Sequence, residues 1–319
     1  MSYKVVFTDY DFENIDIEKE AFSKVDCALV DLQSKDEATL ISACFDADAL
    51  IVQYTPITSR LISSMDKCKV ISRYGIGVDN VDLEAATAKN IPVCNVPDYC
   101  INEVADHTLS LMLSLLRKII PLFNSVKNRS SSPGKAVKTI YNLKKLTLGF
   151  VGLGKIPQNL YEKVKPIFNN IIVYDPYIKE DVIKKYNFNQ VSFINLLKTS
   201  DIISIHCPFV DETYHLFSDS QFQLMKHTSY IVNTARGPII DTSSLYQAII
   251  NRQIAGAALD VWEEESIGMV YDLAKLDNVI ITPHVAYYSE SSQKDVKYKA
   301  ALNVIRILSG EKPKHVVNK

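Results

Sequence analysis

The stretch that decides the fold runs from Leu146 to Pro157 and reads LTLGFVGLGKIP. An apolar run typical of a buried strand leads into Gly152-x-Gly154, and a helical pattern follows. Gly152 allows a tight turn, and Gly154 lets backbone N–H groups approach a pyrophosphate at the positive end of the helix. A strand, a Gly-x-Gly turn and a helix in this order predict a dinucleotide site, although an ordinary strand–helix turn can look the same.

Two nearby residues refine this interpretation. Asp175 ends the next predicted strand, 21 residues after Gly154. An acid there accepts hydrogen bonds from ribose hydroxyls and repels a 2′-phosphate, which favours NAD over NADP. Pro157 replaces the third glycine of the usual fingerprint, and proline is tolerated in the first turn of a helix. The phosphate site is therefore expected to survive, with a slightly displaced helix.

Short apolar runs alternate with amphipathic stretches on both sides of this motif, as parallel strands and crossover helices do. The fold class predicted is α/β, with two Rossmann-like or flavodoxin-like parallel-sheet domains and a cleft between them. Residues 1–100 with 288–319 are predicted to form a substrate-binding domain, and residues 101–287 an NAD-binding Rossmann domain. A polar loop over residues 127–138 is predicted to be a surface excursion or a subunit-contact arm.

The composition excludes several classes of protein. The chain has 319 residues and a net charge of −2, which argues against nucleic-acid binding. It shows no secretion signal and no apolar run long enough to span a membrane, so we expect a cytoplasmic protein that does not bind membranes. Its six cysteines are scattered without a C-x-x-C pair, so neither a disulfide nor a metal site is predicted.

Three later segments end predicted strands with residues that could bind a 2-keto acid and donate a proton while a nicotinamide cofactor reduces it. Arg236 offers a guanidinium for the substrate carboxylate, and His284 offers a proton donor near neutral pH. A carboxylate beside the imidazole would hold its tautomer, and Glu265 is assigned that role. Glu263 and Glu264 compete with Glu265 for it, because composition cannot separate three consecutive acids.

A series of short words in the chain carries a resemblance to a known family. They are 73–82 (RYGIGVDNVD), 94–97 (CNVP), 104–106 (VAD), 152–154 (GLG), 206–208 (HCP), 233–237 (NTARG), 259–261 (LDV) and 282–284 (TPH). The chain resembles the D-isomer-specific 2-hydroxyacid dehydrogenase family, which includes D-3-phosphoglycerate dehydrogenase, and in particular its C-terminal-binding protein branch. The resemblance implies hydride transfer between NAD(H) and a small 2-hydroxy or 2-keto acid, of glyoxylate, hydroxypyruvate or phosphoglycerate type. The alternative is an NAD(H)-sensing regulatory or scaffold protein with little turnover.

The resemblance also implies site residues and an assembly. It supports the catalytic roles of Arg236, Glu265 and His284, and it implies a homodimer through the cofactor domain. The residues predicted to bind the cofactor are Gly152, Gly154, Lys155, Ile156, Asp175, Cys207, Pro208, Thr213, Thr234, Ala235, Asp260 and Thr108. Those predicted to bind the substrate, besides Arg236, are Gly75, Ile76, Gly77 and Tyr99.

The remaining histidines are expected to have other roles. His206 is expected to shape the cofactor pocket, and His107 to have a surface or interdomain role. His215, His227 and His315 are expected to face solvent.

Overall fold

The computed structural model describes residues 2–127, 137, 139–186, 188–263 and 267–318. The described chain divides into two compact units, Met1–Cys100 with Ser289–Lys319 (unit 1) and Ile101–Tyr288 (unit 2). The predicted division placed the second crossing one residue earlier. That the two units serve as substrate-binding and NAD-binding domains, with a cleft between them, stays a prediction.

Unit 1 is built on a parallel sheet. Among its described residues, five strands lie in the order β2-β1-β3-β4-β5, the order of flavodoxin-like sheets. The strands are β1 (Tyr3–Phe7), β2 (Cys27–Asp31), β3 (Ala49–Val52), β4 (Val70–Arg73) and β5 (Val93–Cys94). The helices are α1 (Asp16–Phe22), α2 (Glu37–Cys44), α3 (Ser59–Ser64), α4 (Leu83–Ala88) and α13 (Glu290–Leu308).

Each face of this sheet has its own apolar core. On one face Val5, Phe7 and Ile51 pack with Phe22 of α1 and Val304 of α13. The opposite face packs α2, α3 and α4 against the sheet. Because both faces are covered, β3 reads as a continuous apolar run.

Unit 2 contains a larger parallel sheet. Its described residues form seven strands in the order β12-β11-β10-β9-β6-β7-β8, which is the Rossmann order with one added strand. The strands are β6 (Thr147–Val151), β7 (Asn170–Tyr174), β8 (Asn189–Gln190), β9 (Ile202–Ile205), β10 (Tyr230–Asn233), β11 (Gly256–Leu259) and β12 (Val279–Ile281). The helices are α5 (Ile101–Leu116), α6 (Ile119–Lys127), α7 (Lys155–Val164), α8 (Glu180–Tyr186), α9 (Phe193–Thr199), α10 (Asp219–Phe222), α11 (Thr242–Ile250) and α12 (Ile267–Ala274).

The predicted α/β class with two parallel sheets is confirmed. The elements that the sequence did not predict include the helices α1 and α6 and the two-residue edge strand β8. The predicted polar loop over 127–138 lies almost wholly outside the described residues. In the described part of the chain, no individual helix is long and apolar enough to cross a membrane, although α5 and α6, bent by 61° to each other, pass that test as a pair.

Candidate active site

The carboxyl ends of six strands in unit 2 lie side by side. The pairing register joins Tyr174 to Val151, Val151 to Ile205, Ile205 to Asn233, Asn233 to Leu259 and Leu259 to Ile281. The next residue of each strand therefore falls in one row, in the order Asp175, Gly152, His206, Thr234, Asp260 and Thr282. Ligands of open α/β sheets bind beyond this edge, at the point where the strand order reverses. Here that point lies between β6 and β9.

The glycine turn after β6 is shaped by close backbone approach. Gly152 has φ +89°, and a Cβ there would lie 2.7 Å from the backbone nitrogen of Cys207. Gly154 has φ −71° and begins α7 as its N-cap residue. No described heavy atom comes within 4 Å of a Cβ built on Gly154. The turn thus leaves open space before the helix, as a phosphate group requires.

Pro157 occupies the third position of α7, after Lys155 and Ile156, and is buried. The first four N–H groups of a helix have no partner within it, so a proline at this position removes no helical hydrogen bond. The helix continues to Val164. The departure from the fingerprint therefore leaves the start of the helix intact.

The carboxylate of Asp175 is tied to the glycine turn. Its Oδ2 accepts from the backbone N–H of Leu153 at 2.8 Å, and its Oδ1 accepts from the N–H of Tyr177 at 2.8 Å. The acid predicted to bind the ribose thus also braces the residue between the two glycines.

The segment after β9 presents His206 and Cys207 to the same turn. Burial lowers the pKa of His206 to about 3, and its Nε2 lies 2.8 Å from the Ser204 hydroxyl. Burial raises the pKa of the Cys207 thiol to about 11. A histidine that stays neutral and a thiol that stays protonated suit an uncharged wall rather than proton transfer.

The other predicted cofactor residues lie on two loops. The Thr213 hydroxyl donates to the carbonyl of Pro208 at 2.8 Å and so closes the loop after β9. After β10, the Thr234 hydroxyl lies 2.9 Å from that of Thr108, which is fully buried on α5. The N–H of Ala235 donates to the Asn233 side chain at 3.0 Å.

Arg236 stands three residues past the end of β10. Its Nη1 donates to the carbonyl of Ala235 at 2.7 Å, and its own carbonyl accepts from the Asn233 amide at 2.8 Å. The next residue is Gly237, where a Cβ would lie 2.1 Å from the carbonyl oxygen of Trp262. Only glycine lets the two backbones approach this closely, and the backbone around Arg236 is fixed as a result.

Asp260 follows β11 and is 1% exposed. Its Oδ1 accepts from the Thr282 hydroxyl at 2.5 Å and from the N–H of Val285 at 3.0 Å. Its Oδ2 accepts from the N–H of Ala286 at 2.9 Å. The carboxylate therefore holds the turn that follows β12. Its predicted contact with the cofactor stays a prediction.

His284 lies in that turn and is exposed. It has φ +52°, a left-handed conformation that costs a non-glycine residue about 1–3 kcal/mol. Its N–H donates to the backbone carbonyl of Asp260 at 2.8 Å. The ring stands edge-on to that of Tyr287, with 6.3 Å between the centroids. Backbone strain of this kind is concentrated at functional sites.

The three candidate acids after Asp260 are partly separated by the structure. Glu263 Oε1 lies 2.7 Å from His215 Nε2, and its Oε2 accepts from the N–H of Thr242 at 2.9 Å. Glu263 therefore already binds His215 and the first residue of α11. Glu264 and Glu265 lie outside the described residues, so the assignment of Glu265 stays a prediction.

The expectation that His215 faces solvent is wrong. Its ring is half-buried between Glu263 and Asp241, whose Oδ2 lies 3.6 Å from Nδ1. The ring also stacks on Tyr214 at 3.9 Å. His227 and His315 are exposed, as predicted.

The predicted substrate loop lies in unit 1. Gly75 has φ +139°, and a Cβ there would collide with the guanidinium of Arg73. The Asn95 amide donates to the carbonyl of Ile76 at 2.7 Å, and the N–H of Val96 donates to that of Gly75 at 2.9 Å. Tyr99 is half-buried and packs against the core beside α13.

A comparison of the sequence with models of known families decides the classification. Residues 109–286 match the model described as D-isomer specific 2-hydroxyacid dehydrogenase, NAD binding domain. The chain belongs to this family. The predicted family, the NAD cofactor and the oxidoreductase class are thereby confirmed, and the alternative of a regulatory scaffold is not favoured.

Individual members of the family differ in how far the chain matches them. The chain is 42% identical to D-3-phosphoglycerate dehydrogenase of Methanocaldococcus jannaschii over 281 residues, which cover 88% of the chain and 53% of that protein. It is 35% identical to glyoxylate reductase of Thermofilum pendens over 305 residues, which cover 92% of the chain and 89% of that protein. The chain thus spans about half the length of the first relative and most of the second.

A solved structure matches the fold over almost all of the chain. D-lactate dehydrogenase of Aquifex aeolicus, complexed with NAD and lactic acid, superposes with a TM-score of 0.86 at 30% identity, and the match covers 96% of both chains. The two-sheet architecture is therefore that of the dehydrogenase family.

One residue with a clear structural role, Asp9, was missed by the sequence interpretation, and another, His107, was given a different role. Asp9, two residues past the end of β1, accepts from the N–H groups of Gln53, Tyr54 and Thr55 at 2.8–3.2 Å and so holds the segment after β3. His107 on α5 places Nε2 3.0 Å from the Thr282 hydroxyl and 3.5 Å from Asp260 Oδ1. An acid just past the end of an apolar strand was a usable signal for Asp9. His107 carried none, because its partners lie more than 150 residues away.

Proposed function

We propose that the chain catalyses the reversible reduction of a small 2-keto acid to the corresponding D-2-hydroxy acid with NADH. The observation that carries this proposal is the register of β10, β11 and β12. It brings the segments bearing Arg236, Asp260 and His284 to adjacent positions at the edge where family members bind NAD.

The cofactor is proposed to lie along the row of strand ends. Gly152 and Gly154 leave room for the pyrophosphate, and Asp175 accepts hydrogen bonds from the adenosine ribose. Lys155, Ile156, Cys207, Pro208 and Thr213 line the phosphate half. Thr108, Thr234, Ala235 and Asp260 surround the nicotinamide half. When bound, NADH supplies the hydride that adds to the carbonyl carbon.

The protein residues bind the substrate and move the proton. The Arg236 guanidinium pairs with the substrate carboxylate and polarises the carbonyl. The His284 imidazolium donates a proton to the carbonyl oxygen as the hydride arrives, and the imidazole takes it back in the reverse direction. Glu265 orients that ring, and backbone amides of Gly75, Ile76 and Gly77, with Tyr99, receive the carboxylate end. The overall reaction consumes one keto acid, one NADH and one proton.

The test is NADH consumption against a panel of glyoxylate, hydroxypyruvate, pyruvate and phosphohydroxypyruvate. Turnover of one or more of these acids is expected. For every acid except glyoxylate, whose product is achiral, chiral analysis should give the D-isomer. Arg236→Gln should raise KM for the keto acid by about tenfold or more, because a charge-assisted pair is lost. The absence of turnover with every acid, in a chain that binds NADH, would refute the proposal.

We also propose a homodimer assembled through unit 2, acting in the cytoplasm. Helix α6 supports the dimer, because it exposes Ile119, Ile120, Phe123 and Val126 by 38–72% of their surface. Apolar side chains grouped in this way are typical of subunit contacts. Light scattering should give twice the chain mass, and Phe123→Ser with Val126→Ser should shift the protein to monomer. A monomeric wild type would contradict this assembly.

A further inference from the structure

A chain of hydrogen bonds lies next to the turn that carries His284. The Thr282 hydroxyl is 2.5 Å from Asp260 Oδ1 and 3.0 Å from His107 Nε2. A hydroxyl has one hydrogen, and a carboxylate can only accept. The hydrogen of Thr282 therefore goes to Asp260. The Thr282 oxygen must then accept from His107, which fixes a hydrogen on Nε2 of that ring.

Asp260 also binds the backbone of His284 and of the two residues that follow it. Its carboxylate accepts from the N–H groups of Val285 and Ala286, the two residues after His284. Its backbone carbonyl accepts from the N–H of His284 itself. The His284 turn thus wraps around a carboxylate that is 1% exposed. A buried carboxylate that loses a donor shifts or admits water, and its other partners move with it.

The left-handed backbone at His284 makes this support necessary. With φ +52°, the residue holds a conformation that relaxes unless its surroundings enforce it. Four hydrogen bonds of this segment end on Asp260, one from the Thr282 hydroxyl and three from the backbone N–H groups of residues 284–286. Thr282, which accepts from His107 of α5, supplies the side-chain part of them from the end of β12.

We propose that His107 and Thr282 are positioning residues for the acid–base group His284 and act through Asp260. This inference rests on the proposed function, because it assumes that His284 transfers the proton. Neither residue needs to touch the substrate or the cofactor. Their expected effect is on kcat, since a slightly misplaced proton donor slows the chemical step while binding continues.

Thr282 allows a matched pair of variants. Thr282→Val keeps the shape and removes the hydroxyl, whereas Thr282→Ser keeps the hydroxyl. With the best acid of the panel, Thr282→Val should lower kcat by about 10- to 100-fold, and Thr282→Ser should stay near the wild-type value. The Kd for NADH should change far less than kcat in both variants, because Asp260 is only one of the residues proposed to contact the cofactor. A purely structural role of the side chain would not produce a loss confined to kcat and rescued by serine.

His107 lies at the other end of this chain of hydrogen bonds and provides an independent test. The amide of His107→Gln can still donate to the Thr282 oxygen, whereas His107→Leu cannot. We expect His107→Leu to match Thr282→Val in its loss of kcat, and His107→Gln to lose much less. The double variant His107→Leu with Thr282→Val should be no slower than either single variant, because the two changes break one chain of bonds. Thermal unfolding and circular dichroism identify variants that fold.

The outcomes separate this inference from the proposed function. If the wild type reduces no acid of the panel, the proposed function fails and the inference fails with it. If the wild type is active and folded Thr282→Val and His107→Leu keep its kcat, only the inference is overturned. A loss that lies mainly in NADH affinity rather than in kcat, or one that serine does not rescue, overturns it as well.

Discussion

The glycine turn after β6 allows two glycine-to-alanine substitutions, Gly152→Ala and Gly154→Ala, that each add one methyl group. We expect the first to lower stability and the second to weaken NADH binding. In Gly152→Ala the new Cβ would lie 2.7 Å from the Cys207 nitrogen and 2.8 Å from the His206 carbonyl carbon. Both are backbone atoms of the segment that follows β9, and they cannot rotate away. In Gly154→Ala the new Cβ meets no described atom within 4 Å, and φ is −71°.

The expected cost of Gly152→Ala has two parts. A non-glycine residue at φ +89° costs about 1–3 kcal/mol. Forcing a methyl group into packed backbone costs about 1–3 kcal/mol more. The free energy of unfolding of unit 2 should therefore fall by about 2–6 kcal/mol. At about 2–4 °C for each kcal/mol, Tm should drop by roughly 4–24 °C.

Gly154→Ala should leave stability unchanged or raise it slightly, since alanine restricts the unfolded chain. The methyl group would instead occupy the space through which the backbone approaches the pyrophosphate, and Kd for NADH should rise by about tenfold or more. Differential scanning calorimetry and NADH fluorescence titration measure the two effects. A Gly152→Ala variant with wild-type Tm, or a Gly154→Ala variant with wild-type NADH affinity, would refute this account of the turn.

Four further changes test other parts of the molecule. His284→Ala should lower kcat by roughly 10²- to 10⁴-fold in the NADH assay while NADH titration stays near wild type; a collapse of NADH binding would contradict the assigned role. Asp175→Ala should narrow the preference for NADH over NADPH, and an unchanged kcat/KM ratio would place ribose recognition elsewhere. Because burial holds the pKa of His206 at about 3 against 6.5 for a free ring, the unfolded chain takes up a proton between these values that the folded chain does not. Folding stability should therefore decline as pH falls from about 6.5 towards 3, and His206→Gln should decline less in urea titrations; equal slopes would count against it. Tyr74→Phe removes the hydroxyl that donates to the fully buried Glu18 at 2.6 Å and should cost about 1–3 kcal/mol in urea unfolding; a neutral result would show that the carboxyl finds another donor.

The strands could be predicted because most of them are buried on both faces. Parallel strands covered by helices read as apolar runs, as β3 and most of β9 do. Strand β8 was missed because Asn189 and Gln190 are exposed and polar. It belongs to the sheet because it pairs with β7, and the local sequence pattern does not predict that pairing.

The positions of the site residues could be predicted because these residues follow the ends of strands, but their contacts could not be predicted. The order of words along the chain located Asp260 and His284, since parallel strands bring their carboxyl ends together. The partners of Asp260 on α5 and in the turn after β12 depend on tertiary packing. The pairing of His215 with Glu263 was likewise invisible, because 48 residues separate them.

Helix α13 lies near the end of the sequence but packs in unit 1, and this affects the order in which the two units can fold. The Ser72 hydroxyl donates to the carbonyl of Ala300, 228 residues later, inside the core beneath β4. On the ribosome, unit 2 can complete its sheet while the first five strands still expose the face that α13 will cover. Unit 2 is then the natural first intermediate, and unit 1 closes last around the returning helix.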